Sequence, residues 1–254
     1  MGYPGGKSSP GVFHTLINLM PPHDVYIEPF LGGGAVMAIK RRAGLNIGID
    51  LDRDVITGWR SRLTAKLPGA SSSSRPALRR FGAAALAPSL EQFRFDVADG
   101  IEFLRGYQFT GSELVYCDPP YVRSTRSSPD AIYRHEMTDA QHLALLDVLR
   151  RLKCMVMVSG YSSPMYAKGL KGWTATAFQT TARRGLKAEW VWMNYEKPVA
   201  LHDYRFLGVG HRERQDIRRQ QNRWVGRLAK MPVLRRQALL AAIGGEIAAG
   251  GHLA

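Results

Sequence analysis

Leu114-Val115-Tyr116-Cys117-Asp118-Pro119-Pro120-Tyr121 runs from four apolar residues directly into a carboxylate and two prolines. Four apolar residues bounded by a turn signal make a buried strand, and prolines cannot continue a sheet ladder, so the strand ends at Asp118. Three more short β-rich runs share that form: Val25-Tyr26-Ile27, Asn46-Ile47-Gly48-Ile49 and Met155-Val156-Met157-Val158. Each is bounded by Gly, Pro or Asp, as expected of strands covered on both faces. Further strands are expected near residues 92–97, 174–178 and 189–193. Helical patterns lie between them. In residues 138–152, Leu143, Leu146 and Leu149 set the expected apolar face, and Thr138 with Gln141 makes a capping box. Strands alternating with helices predict an α/β fold: a Rossmann-like, mostly parallel central sheet flanked by helices.

The 254 residues carry 35 Lys+Arg against 21 Asp+Glu, a formal charge of +14, which points to a polyanionic partner. No run approaches the ~20 apolar residues of a membrane span. The first ten residues, MGYPGGKSSP, lack the apolar core of a signal peptide, so a cytoplasmic protein is expected. Two cysteines, Cys117 and Cys154, make neither a disulfide framework nor a four-ligand zinc site and are expected to be buried thiols. The seven histidines show no metal spacing; His135 and His142 are expected at the surface or in loops. No metal is expected.

Two stretches break the α/β rhythm. Residues 68–88 are rich in Ser, Ala and Pro and are expected to form a loop or loosely ordered insertion. Between Arg205 and Arg236 ten Lys/Arg face only Glu213 and Asp216, a surplus of eight. Two helices are expected there, broken at Met231-Pro232. They form either a phosphate-gripping extension or a solvated appendage packing Ile217, Trp224 and Leu228 on the domain. The expected division is a catalytic domain over residues 1–204 and a basic helical extension over 205–254.

The chemistry is expected at the strand ends. Glu28-Pro29-Phe30-Leu31-Gly32-Gly33-Gly34 closes the first strand with a glycine turn, and a helix starting near Ala35 would aim its amides at a ligand there. Asp50 ends the second strand, where an acidic side chain can take both ribose hydroxyls of a nucleoside; Asp52 and Asp54 compete for that role. Asp118 offers an acceptor side chain, Pro119 and Pro120 leave acceptor carbonyls, and Tyr121 adds a flat ring. That set suits an exocyclic amine on an aromatic ring, whose lone pair is freed for attack when its N–H bonds are gripped.

With Tyr3-Pro4-Gly5-Gly6-Lys7, Glu28–Gly34, Asp50, Asp118–Tyr121, Ser159-Gly160-Tyr161 and Glu189-Trp190-Val191-Trp192 in this order, the chain resembles Dam-type adenine-N6 DNA methyltransferases of phages and restriction–modification systems. The resemblance covers roughly residues 3–198. It implies the methyltransferase variant of the Rossmann-like fold, with S-adenosylmethionine (AdoMet) as methyl donor and duplex DNA as substrate. By it, Phe30, Gly32 and Gly34 cradle the methionine part, with Tyr3 and Glu28 in the same cofactor set, and Asp50 takes the ribose. Lys7 lies near the methionine carboxylate or the catalytic pocket. Asp99 is chosen as the residue beside the cofactor adenine, with Asp96 a close rival. Asp118 and the Pro119 carbonyl grip the amine and Tyr121 stacks on the flipped base. Cys117 is then a strand residue and not a nucleophile.

The chain departs from larger relatives of that kind in lacking a substantial recognition insertion. The 68–88 stretch and residues 122–137 are what remain, the latter bringing Arg123, Arg126 and Arg134 past the catalytic loop. With Arg218, Arg219 and Arg223 of the basic extension, these are the expected DNA contacts, to phosphates or to guanine edges. A cognate restriction endonuclease is a conceivable partner. Rival readings are an amine methyltransferase acting on cytosine N4 or RNA, and a catalytically idle DNA-binding relative.

Overall fold

The computed structural model describes residues 7, 9, 11–64, 90–126, 133–182 and 185–248. They divide into two compact units, Met1–Arg205 and Phe206–Ala254. The first unit is built on a seven-stranded sheet in the order β3-β2-β1-β4-β5-β7-β6. Its strands are β1 (Val25–Glu28), β2 (Leu45–Asp50), β3 (Phe93–Val97), β4 (Glu113–Cys117), β5 (Met155–Gly160), β6 (Thr174–Ala182) and β7 (Gly185–Met193). All neighbours pair in parallel except β7, which runs antiparallel to both β5 and β6. The Rossmann-like sheet expected from the strand pattern is therefore the one observed.

The apolar runs form strands because both faces of the sheet are covered. Ile27, Ile47, Val115, Val156 and Val158 are fully buried and join one core with Leu145, Leu149, Tyr166 and Trp192. The helices of this unit are α1 (Val12–Ile17), α2 (Ala35–Ile39), α3 (Arg53–Thr64), α4 (Gly100–Gly106), α5 (Asp139–Arg151) and α6 (Pro164–Gly169). Thr138 and Gln141 cap α5 reciprocally, as their spacing predicts. The face of α5 differs from the expected one: Leu143 is exposed, and the buried stripe is His142, Leu145, Leu146 and Leu149. That stripe follows the i, i+3, i+4, i+7 spacing of a single helix face, which Leu143 does not share.

His142 is correspondingly buried rather than at the surface, its Nδ1 3.0 Å from the Tyr166 hydroxyl. Burial holds its pKa down to about 4, with Asp139 opposing and Arg126 adding to the shift. His23, stacked on His202 near Lys40, is held down to about 3, also chiefly by burial. A histidine kept neutral in the fold is protonated more readily when unfolded, so its contribution is lost as pH falls below ~6.5. For His142 the loss is about 2 kcal/mol at pH 5. Urea unfolding at pH 7 and pH 5 checks this: His142→Gln, which cannot protonate, should lose less stability between the two pH values than the parent chain. Equal losses would mean that His142 does not carry the effect.

Cys117 is buried and Cys154 half-buried, both as thiols. The second unit contains α7 (His211–Ala229) and α8 (Val233–Ala248), separated at Met231-Pro232 as the sequence predicts. No residue of α7 is buried: Ile217 and Leu228 are half-covered and Trp224 is exposed. Among the described residues no helix is long and apolar enough to cross a membrane.

Candidate active site

The chain runs β1-β2-β3 towards one edge of the sheet and then β4-β5 towards the other, so the order reverses between β1 and β4. Ligands of open α/β sheets bind outside the carboxyl ends of strands at such a reversal. A cleft opens there. Pro29, Phe30 and Gly32 line it from the end of β1, Asp50 and Leu51 from β2, Asp99 to Ile101 from the start of α4, and Asp118 and Pro120 from β4. Tyr133, His135, Glu136, Met137 and Gln141 form the facing wall.

Backbone geometry explains the glycine loop. Gly32 and Gly34 adopt φ of 45° and 55°, in the left-handed region that side chains disfavour. The turn is braced from β2: Asp50 Oδ2 accepts the Gly32 amide at 2.7 Å, and Asp50 Oδ1 accepts the Asp52 amide at 2.8 Å. Burial raises the Asp50 pKa, an effect these amide bonds partly offset. Asp50 thus holds the loop as well as facing the cleft, and a carboxylate keeps acceptor capacity beyond two bonds. Asp99 caps α4 by accepting the Ile101 and Glu102 amides at 2.7 and 3.1 Å. Between the rival aspartates, Asp99 lines the cleft, whereas Asp96 pairs with Arg94 and Arg60 on the sheet edge.

Glu28 and Gly34 do not reach the cleft wall. Glu28 points into the core, where it accepts the Tyr26 hydroxyl at 2.8 Å, and burial raises its pKa to about 8. Gly34 sits behind the loop, where a Cβ would lie 2.3 Å from the Trp59 ring. Neither is among the residues that line the cleft, and in this structure both make contacts within the fold. Tyr3 and the 68–88 stretch lie outside the described residues, as do residues 127–132 of the second expected insertion.

Asp118-Pro119-Pro120-Tyr121 is held by a polar cluster. Lys7 Nζ lies 2.8 Å from both Asp118 oxygens, 2.6 Å from the Tyr121 hydroxyl and 3.0 Å from Glu189 Oε1. Ser159 Oγ donates to Asp118 Oδ1 at 2.9 Å and is itself 3.0 Å from the Tyr116 hydroxyl. Of the two places expected for Lys7, the structure puts it against Asp118 and Tyr121. Burial alone would lower the Lys7 pKa, but Asp118 and then Glu189 hold it above the ordinary lysine value.

Tyr121 departs from expectation. Its ring is buried, edge-on to Tyr161 at 4.6 Å between centroids, and its hydroxyl donates to Glu189. In this conformation the half-exposed Tyr133, and not Tyr121, lines the cleft. Arg126 is a second correction. Its side chain is 4% exposed, bound to Glu136 and to the Tyr121 carbonyl, so it fastens the loop after β4 and is not presented at the surface for the expected DNA contact. A guanidinium fork matches a carboxylate and a carbonyl at once, which favours this burial. Arg134 bridges Asp52 and Asp54 at 2.9 and 2.8 Å, and Arg123 is exposed. Arg218, Arg219 and Arg223 lie exposed on α7.

Ser159, Glu136 and Glu189 belong to the site although no role was assigned to them from sequence. A charged residue inside the apolar run Glu189-Trp190-Val191-Trp192 was the available signal for the last.

No protein-family model and no curated protein matches the chain. Solved structures of similar course include a proposed methyltransferase of Streptococcus mutans in complex with SAH, at 12% identity over 71% of this chain and 93% of that one, TM-score 0.45. An rRNA methylase of Streptococcus thermophilus matches at 13% identity over 71% and 93%, TM-score 0.44. Magnesium protoporphyrin IX methyltransferase of Synechocystis, with bound SAM, matches at 11% identity over 73% and 76%, TM-score 0.43. These likenesses concern the course of the chain alone.

Proposed function

We propose that the chain is an AdoMet-dependent methyltransferase whose acceptor is the exocyclic N6 amine of an adenine flipped out of duplex DNA. The observation that carries this reading is Asp118, at the carboxyl end of β4 beside the strand-order reversal, held by Lys7 and Ser159 and opening on the same cleft as Asp50 and Asp99. AdoMet, when bound, supplies an electrophilic methyl group on a cationic sulfonium. The residues present fit such a group: Asp50, Asp99, Asp118 and Glu136 line the cleft with Pro29, Leu51 and Ile101, an acidic and apolar slot in a chain of net charge +14. Phe30, Gly32, Asp50 and Asp99 would hold it.

The chain's own residues then act on the acceptor. Asp118 and the Pro119 carbonyl accept the two N–H bonds of the amine, draw the nitrogen towards tetrahedral geometry and localise its lone pair for attack. Asp118 is also the nearest acceptor for the proton that the nitrogen must shed. Unstacking the base costs a few kcal/mol, offset by the tyrosine rings around the pocket and by phosphate contacts. Tritiated AdoMet with unmethylated duplex DNA, followed by nucleoside analysis, tests the reading. Label in N6-methyladenine is expected. Label in N4-methylcytosine or only in RNA would move the acceptor, and no label despite tight DNA binding would leave a binding protein.

For the basic extension we propose a phosphate grip by α7. Replacing Arg218, Arg219 and Arg223 together by Glu should weaken DNA binding. If each meets one phosphate, the slope of log K against log salt should fall by about 2 to 3. An unchanged slope would return α7 to a scaffold role.

A further inference from the structure

Glu189 lies outside the catalytic tetrapeptide, on β7, and is 3% exposed. It touches the Lys7 ammonium at 3.0 Å, which also holds Asp118, and the Tyr121 hydroxyl, which lies 2.6 Å from the same ammonium. One ammonium is therefore shared by two carboxylates. An ammonium bound only to Asp118 would compete with the incoming amine for its lone pairs and withdraw the charge that draws N–H bonds towards it. A second carboxylate gives Lys7 another partner and leaves the cluster with a net charge of −1. That excess is matched to a cationic methyl donor and to the positive charge that grows on the acceptor nitrogen.

We propose that Glu189 is a positioning residue for methyl transfer, sharing the Lys7 ammonium with Asp118 and taking the Tyr121 hydroxyl so that Asp118 keeps negative charge and acceptor capacity for the target amine. This deepens the proposed function and rests on it. The charged and titratable groups facing Glu189 are Lys7 and Asp118, with Tyr121, Tyr116 and Tyr161 around them. Burial raises its pKa, with Lys7 lowering it and Asp118 raising it. Below that raised pKa the parent chain carries a neutral Glu189 and behaves as the Glu189→Gln variant would.

Glu189→Gln keeps the shape and a hydrogen-bonding oxygen for Tyr121 while removing the charge. Its kcat should fall to roughly a tenth to a hundredth, short of the 10²–10⁴ that a direct proton-transfer group contributes. KM for AdoMet and for DNA should stay within about threefold, and the melting temperature near the parent's. The parent's kcat should decline with falling pH through a step absent from the variant, and Glu189→Asp should recover part of the rate. Unchanged kcat in the variant of an active parent overturns the proposal. A second measurement does not depend on turnover: ¹³C NMR of labelled lysine, with Lys7 assigned through Lys7→Arg. Lys7 should lose its proton at lower pH in Glu189→Gln than in the parent. Identical titrations overturn the role of Glu189 whether or not the parent methylates. A parent that methylates no nucleic acid, with the Lys7 shift present, overturns the proposed function alone.

Discussion

Asp118→Ala should reduce methyl transfer by about 10³-fold or more while AdoMet still binds. In the proposed mechanism this side chain meets the acceptor amine, and the backbone around it is fixed by other means. Pro119 and Pro120 stiffen the turn, and Arg126 holds the Tyr121 carbonyl and Glu136. Lys7, left without Asp118, keeps Glu189 at 3.0 Å, so no buried ammonium is stranded. The remaining cleft residues, Phe30, Gly32, Asp50 and Asp99, are untouched. Calorimetry with AdoMet beside a single-turnover transfer assay separates the two quantities. Retained transfer would remove Asp118 from the chemistry, and lost binding with retained transfer would make it a cofactor residue.

Gly100→Ala should damage both fold and cofactor binding, although Gly100 carries no chemistry. A Cβ there would lie 2.1 Å from the Pro29 carbonyl oxygen and 3.0 Å from its carbon. The obstacle is backbone, so it cannot swing aside as a side chain would. The loop of Pro29, Phe30 and Gly32 must move away from Asp99 and Ile101, which widens the cleft between them. Overpacking of this kind costs about 1–3 kcal/mol, and the displaced loop should weaken AdoMet binding at least about tenfold, or ~1.4 kcal/mol. Gly106→Ala, at the other end of α4 with nothing within 4 Å of its Cβ, is the control and should be neutral or slightly stabilising. Equal effects of the two substitutions in urea unfolding would show that the contact with Pro29 is not the cause.

Much of the first unit was legible in the chain. Residues 114–117, 25–27, 46–49 and 155–158 are strands because a run of consecutive apolar residues has no exposed face to offer. Thr138 and Gln141 specify the start of α5 because a capping box needs only local geometry. The buried face of α5 does not follow the leucines alone, because the stripe includes His142, whose Nδ1 meets the Tyr166 hydroxyl, while Leu143 is exposed. The arginines after the catalytic loop were harder. Arg123, Arg126 and Arg134 look alike in sequence, yet one is exposed, one is buried on Glu136 and one bridges Asp52 and Asp54. Charge identity is local, whereas the choice of ion-pair partner is not.

The same physical division separates what the amino-acid order determined alone from what only the tertiary structure decided. Buried strands, their order along the chain and the acidic residues at their ends follow from hydrophobic runs and turn residues, which act over a few positions. Which of those ends share a site depends on the order of strands in the sheet. That order brings Lys7 to Asp118 across 111 positions and Glu189 to Tyr121 across 68. Burial then makes these meetings consequential, since a lysine and two carboxylates largely removed from water must pair with one another. The sequence therefore named Asp118, and the folded sheet decided what holds it.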